Sequence, residues 1–293
     1  MSGKDGLAPH HRVGPDTRVE GSYIVVVADD ADPRAVAERA GVTPRHVLPR
    51  MPAFTADLTD AQLDAVRRDP HVSEVVDNAR GGAPEGTDWA DWHAQYDDPQ
   101  STLPRRLIAV QSQIRAFLDE RPPGPLRMVS MCAGQGRDIL GVLADHPRRH
   151  DVTGRLVELN PDLAADATTS ARAAGLAGIE VRVGDAAQSD SYAGAAPADL
   201  VLACGIFGNI TNAAIKRTVG FLPQLCAAGA TVIWTRHRDE PDLVPTVCDW
   251  FTASGFALRW LSDKSEPYGV GVHTLTVEPT PLTPGERIFR FIR

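Results

Sequence analysis

From Leu126 to the C-terminus, short apolar runs alternate with stretches of helical periodicity, and this alternation most limits what the chain can fold into. The runs are "RMVSMC", "RLVELN", "IEVRVG", "ADLVLAC", "ATVIWTR", "FALRWLS" and "GVHTLTVE". They are rich in β-branched residues and nearly continuous in hydrophobicity, as strands covered on both faces must be. Helical stretches are expected between the first six, with candidate helices at 137–146, 161–175, 211–223 and 241–254. Strands alternating with helices give βαβ units and a parallel sheet, so the fold class is α/β. Only "DKSEPYGV", Asp263 to Val270, separates the last two strands. That loop is too short for a crossover and suits a hairpin, which predicts an antiparallel final strand. Ahead of the first strand, Leu103, Leu107, Val110, Gln111, Ile114 and Leu118 recur at helical spacing and predict an amphipathic helix.

A smaller unit precedes this one. "SYIVVVADD" reads as a strand, and "DPRAVAERAG" as a short helix with proline in its first turn and glycine after its end. "HVLPRMPAFTADL" reads as two short strands around a turn. Thr59 and Gln62 form a capping box for the helix "TDAQLDAVRRDP", and "HVSEVVDNA" closes the unit as a strand. The order β-α-β-β-α-β suits a ferredoxin-like α+β domain. The expected organisation is therefore a disordered arm over 1–20, a small domain over 21–79, a linker over 80–87 and the α/β domain over 88–293. The His10-His11 pair reads as part of a solvated tail.

A chain of 293 residues accommodates two such domains. The net charge of −8 argues against non-specific binding to nucleic acid or anionic membrane. The four cysteines, Cys132, Cys204, Cys226 and Cys248, include no CxxC pair, so no metal site is expected. Cys132, Cys204 and Cys226 lie in apolar settings and read as small buried hydrophobes. The N-terminal residues lack the apolar core of a signal peptide, and no apolar run reaches 18 residues. The expected location is the cytoplasm.

The chemistry is concentrated at the strand ends. In "VSMCAGQGRDIL", Val129 to Leu140, a strand runs into a turn with Gly134 and Gly136 and then into a helix. Open α/β sheets bind ligands outside the carboxyl ends of their strands. Glycines there allow close backbone approach, and a helix N-terminus favours an anionic group. Glu158 ends the second strand, 24 residues after Gly134. An acid at this spacing suits ribose, because one carboxylate accepts from both hydroxyls. After the third strand, Asp185 is placed to accept from an adenine amino group, with Ala186 offering its backbone N–H. Two kinds of ligand put a nucleoside in such a place. A dinucleotide asks for glycine where Ile139 stands, and the C-terminal hairpin fits its usual sheet poorly. S-adenosylmethionine has no pyrophosphate and does not need that glycine.

The sequence also resembles known families. Residues 88–278 resemble class I S-adenosylmethionine-dependent methyltransferases, and within them an actinobacterial group, through "DWHAQYDDPQS", "SMCAGQGRD", "VELNP", "GDA", "LACGIFGNI" and "WTRHR". The resemblance implies a Rossmann-like seven-stranded sheet of order 3-2-1-4-5-7-6 with strand 7 antiparallel. It places Gly134 and Gly136 beside the methionine part and Glu158 at the ribose, with Cys132, Ala133, Leu159 and Asn160 also among the cofactor-binding residues. Asp185 and Ala186 would meet the adenine, with Cys204 and Gly205 on the cofactor's flank. Many of these enzymes carry an acid where Cys132 stands. Asp138 is the candidate to replace it at the methionine ammonium, and Arg137 the candidate for the carboxylate. His93 and Tyr96, in the aromatic segment "WADWHAQYDDP", are expected in a lid, with Phe207 and Asn209 also on the acceptor side. His237, after the fifth strand, is the candidate general base, since imidazole titrates near neutrality. Tyr96 is a second catalytic candidate.

Residues 22–78 resemble the inhibitor I9 domain, the propeptide of subtilisin-like proteases, through "SYIVVVADDADPRAVAERAG" and "MPAFTADLTDAQLDAVRRDPHVSEVV". Two functions follow. One is methyl transfer to a small-molecule or peptide acceptor. The other is a protease- or peptide-binding module, with the methyltransferase fold as scaffold or cofactor sensor.

Overall fold

The structure is a computed structural model and describes residues 7–8, 10–11, 18–28, 31–47, 52–79 and 101–292. The chain divides into two compact units, one mainly Met1–Pro84 and the other mainly Glu85–Arg238 and Asp242–Phe291. The expected linker over 80–87 lies outside the described residues.

The smaller unit comprises β1 (His10–His11), β2 (Arg18–Val27), α1 (Pro33–Arg39), β3 (His46–Val47), β4 (Ala53–Asp57), α2 (Asp60–Arg68) and β5 (Val72–Ala79). Its sheet runs β1-β5-β2-β4-β3, with β2 antiparallel to both β4 and β5. Val25, Val27, Phe54 and Val75 from the strands pack with Val36, Ala37, Leu63 and Val66 from the helices. Local chemistry sets the helix starts. Asp32 accepts from the Arg34 N–H at 2.9 Å, with Pro33 opening α1. Thr59 and Gln62 close the reciprocal capping box on α2. One expectation needs correcting. Residues 1–20 are not simply a disordered arm, because β1 pairs in parallel with β5 and β2 begins at Arg18. His10 is not in a solvated tail either: its Nε2 lies 2.7 Å from Oδ1 of the buried Asp77, and its ring meets Tyr23 edge-on.

The larger unit opens with α3 (Leu103–Glu120) and continues through β6 (Leu126–Met131), α4 (Arg137–Leu143), β7 (Val152–Glu158), α5 (Pro161–Ala173) and β8 (Ile179–Val183). It ends with β9 (Ala198–Ala203), α6 (Asn212–Phe221), β10 (Cys226–His237), α7 (Val244–Ala253), β11 (Phe256–Leu261) and β12 (Tyr268–Leu275). The seven-stranded sheet runs β8-β7-β6-β9-β10-β12-β11. The first five strands of that order are parallel, and β12 is antiparallel to β10 and to β11. Alternate side chains go to opposite faces. Met128, Leu156, Leu202 and Ile233 pack under α3, α4 and α5. Val129, Val157, Val201 and Trp234 pack under α6 and α7. At the C-terminal end of α3, Arg148 donates to the carbonyls of Leu118, Arg121, Pro122 and Gly124 at 2.7–3.1 Å, satisfying acceptors that a helix end leaves open.

The crossover from β8 to β9 is not the expected helix but one 3-10 turn, Ser189–Tyr192. The connecting "GDAAQSDSYAGAAP" has no apolar periodicity, and its Gly194 and Pro197 break helices. Beyond β12 the chain returns to this crossover. Gln188 and Arg287 form an antiparallel bridge there, and Ile288 and Phe289 are buried in the core. Among the described residues, no helix is long and apolar enough to cross a membrane.

Because β6 to β10 run parallel, Met131, Glu158, Val183, Ala203 and His237 end at one sheet edge. The β6–β7 register depends on Gly154 opposite Met128, where any Cβ would overlap the Met128 carbonyl oxygen. Gly154→Ala is therefore expected to destabilise the protein by about 2–4 kcal/mol. Urea unfolding should show a lower midpoint with an unchanged slope.

Candidate functional site

The site grows from the turn after β6. Cys132 takes a left-handed backbone with φ 52°, and Gly134 and Gly136 follow with φ 56° and 67°. An L-residue in that region costs about 1–3 kcal/mol. At Gly136 a Cβ would lie 2.7 Å from Leu156 Cδ2 and 2.8 Å from Leu140 Cδ1, so glycine lets the turn sit directly on β7. Ala133 N–H donates to the Val157 carbonyl at 3.0 Å, continuing the attachment beyond the β6–β7 ladder.

Glu158 then joins the turn to its own strand end. Its Oε2 accepts from Gly134 N–H at 2.8 Å, and its Oε1 accepts from Asn160 N–H at 2.8 Å. The residue is buried, at 9% exposure. A carboxylate offers about four acceptor positions, so about two remain. The Asn160 side chain is used otherwise. It caps α5 by accepting from Asp162 and Leu163 N–H groups, which leaves its backbone N–H as its contribution at Glu158. Leu159 stands between them with its apolar side chain 54% exposed.

Asp185 follows β8. Its Oδ1 accepts from Ala187 N–H at 2.9 Å, and its Oδ2 accepts from Arg287 Nη1 at 3.1 Å. Ala186 is buried, and its carbonyl accepts from the hydroxyl of buried Tyr192 at 2.6 Å. The structure brings Asp185 to the Glu158 end of the site. Burial, and then the negative charges of Glu158 and Asp185, push the Cys132 thiol well above its ordinary value. Cys132 is thereby kept as a thiol, and the same holds for Cys204, raised by burial and then by Asp138. Both are half-buried and pack against the apolar clusters on the two faces of the sheet.

The charge of Asp138 acts on the Cys204 thiol. Burial raises the Asp138 acid to about 6, against the opposing pull of backbone hydrogen bonds that include Ile139 N–H at 2.7 Å. Arg137 Nε donates to Gln135 Oε1 at 2.7 Å, and Gln135 in turn donates to Asp166 of α5. The guanidinium that stands close enough to lower the Cys204 thiol is that of Arg106 on α3, which sequence reasoning missed. Gln111 is expected from the sequence only as part of the helical stripe. It donates to the Arg137 carbonyl at 2.8 Å and holds α3 to the start of α4.

The loop after β9 forms the remaining wall. Gly205 N–H donates to Thr235 Oγ1 at 2.9 Å, and Asn209 Nδ2 donates to the Gly205 carbonyl at 2.7 Å. Asn209 thus closes its own loop. The expectation for Phe207 needs correcting. It is fully buried against Trp234 and Phe251, with ring centroids 5.8 and 6.4 Å away, and belongs to the core. Arg236, also missed, donates to the Phe207 carbonyl. His237 ends β10 with its imidazole over Gly208, where a Cβ would lie 2.9 Å from Cδ2 and 3.4 Å from Nε2. It therefore stands beside the 205–209 loop. His93, Tyr96 and their aromatic segment lie outside the described residues.

No protein-family model matches the chain, and no curated protein matches it. Its backbone is similar to magnesium protoporphyrin IX methyltransferase from Synechocystis PCC 6803, solved with bound SAM. The identity is 12%, with 64% of this chain and 91% of that one covered and a TM-score of 0.51. It is also similar to the CurJ carbon methyltransferase at 14% identity, covering 66% of this chain and 60% of that one, with a TM-score of 0.50. At such identities the likeness is one of backbone, and it establishes that this chain carries the Rossmann-like α/β fold of S-adenosylmethionine-dependent methyltransferases.

Proposed function

We propose that the protein is an S-adenosylmethionine-dependent methyltransferase acting on a small-molecule or peptide acceptor. The observation that carries this reading is Glu158. It is a buried carboxylate fixed by two backbone N–H groups, with acceptor capacity left over, at the strand end where a ribose diol would lie. Leu159 supplies an exposed apolar surface beside it for the base. Asp185 and Ala186 frame the base end, and Asp138 with Arg106 frames the amino-acid end. The glycine turn keeps side chains out of the space between these ends.

When bound, the sulfonium supplies an electrophilic methyl group, and transfer depends chiefly on alignment. The chain's task is to orient and to accept a proton. Gly205 and Gly208 form a wall, tied to β10 by Thr235, that bounds the acceptor's approach. His237, beside Gly208, is the group assigned to take the acceptor's proton. The aromatic segment containing His93 and Tyr96 is proposed as the acceptor-side cover.

Glu158→Gln removes a negative charge and one acceptor. S-adenosylhomocysteine should then bind at least about tenfold more weakly by calorimetry. Equal affinity in wild type and variant would contradict the ribose assignment, and no binding to the intact protein would contradict the function.

Asp138 gives a pH signature. Its folded-state acid, at about 6, lies above the ordinary 3.8. The fold thus favours the protonated form, and this contribution to stability is lost as pH rises through about 6. A ligand ammonium favours the carboxylate instead. Affinity for S-adenosylhomocysteine should accordingly rise about tenfold from about pH 5 to about pH 7.5. Asp138→Asn should bind weakly with a flat profile over the same interval.

A further inference from the structure

The methyl-transfer reading makes no use of the C-terminal segment, yet that segment reaches the base end of the site. Arg287 lies opposite Gln188 in the antiparallel bridge. Ser189 N–H donates to the Glu286 carbonyl at 2.9 Å, and Ile288 N–H donates to the Ala187 carbonyl at 2.7 Å. Glu286 N–H donates to Ser189 Oγ, and Gly285 N–H to Asp190 Oδ1, each at 2.9 Å. Ile288 and Phe289 are fully enclosed in the core. This anchoring projects Arg287 onto Asp185, 102 residues earlier in the chain.

We propose that Arg287 is a positioning residue for base recognition, fixing the Asp185 carboxylate so that its remaining acceptor positions meet the exocyclic amino group of a purine. The inference rests on the reading of this site as one for S-adenosylmethionine. Three features carry it. Asp185 is held at both oxygens, by Ala187 N–H on one and by Arg287 on the other, so its plane is set before a ligand arrives. Glu158 and Asp185 both act on the Cys132 thiol, and a guanidinium beside one of two neighbouring carboxylates offsets their repulsion. The pair is about one-third exposed on each side, and such pairs add little to stability. The segment's own backbone bonds and buried Ile288 and Phe289 already dock it. The geometry thus gives Arg287 a use in orientation rather than in folding. An amino group donates to the fixed carboxylate, whereas a 6-oxo group confronts it with another acceptor.

The test compares S-adenosylhomocysteine with S-inosylhomocysteine, which replaces the amino group by an oxo group. Calorimetry on the full chain would measure both ligands in wild type, Arg287→Ala and Arg287→Lys. Wild type should prefer the adenine ligand by about tenfold or more. Arg287→Ala should lose most of that preference by weakening the adenine ligand alone, while its thermal unfolding stays close to wild type. Arg287→Lys keeps the charge without the planar fork and should fall between the two; it also supplies the measurement if Arg287→Ala fails to fold. An unchanged preference, or equal weakening of both ligands, would overturn the role of Arg287 while leaving the cofactor assignment in place. Failure of the wild-type protein to bind either ligand would overturn both.

Discussion

The site depends on one carboxylate. Glu158 accepts from the turn that follows β6 and from the backbone that begins α5, so a single buried side chain holds two consecutive βα connections together. This works because β6 and β7 are in parallel register, Met131 opposite Val157, and end side by side. A buried carboxylate is costly unless hydrogen-bonded, and here backbone donors meet that need. The turn that presents Gly134 N–H to Glu158 carries left-handed backbone at Cys132, Gly134 and Gly136.

Around that centre the charges separate into two ends. Glu158 and Asp185 stand at one end, with Arg287 against Asp185. Asp138 and Arg106 both act on the Cys204 thiol, Asp138 raising it and Arg106 lowering it. Burial first and neighbouring carboxylates second raise the thiols of Cys132 and Cys204. The β9 loop, pinned by Thr235 and Asn209, stands beside His237.

Much of this was legible in the sequence, for physical reasons. A sheet covered on both faces needs apolar strands, so "ADLVLAC" and "ATVIWTR" announce themselves. The Thr59–Gln62 capping box is a local pattern and was readable for that reason. The end of β7 at Glu158 was readable because the apolar run "RLVE" stops there. What was not legible depends on partners distant in sequence. Phe207 sits in a loop of small residues and reads as a site residue until Trp234 and Phe251 enclose it. Asn209 spends its amide on Gly205, which only the folded loop reveals. His10 belongs to a two-residue strand whose partner, β5, lies more than sixty residues away. Arg287 carries no motif of its own, and its meaning comes from the bridge to Gln188.

The central claim is that the sheet edge around Glu158 holds S-adenosylmethionine. A crystal structure of the protein grown with S-adenosylhomocysteine tests it most directly. The account predicts ribose hydroxyls within hydrogen-bond distance of Glu158, the base against Leu159 and Asp185, and the amino-acid end beside Asp138. A ligand bound elsewhere, or one whose ribose does not touch Glu158, would contradict it.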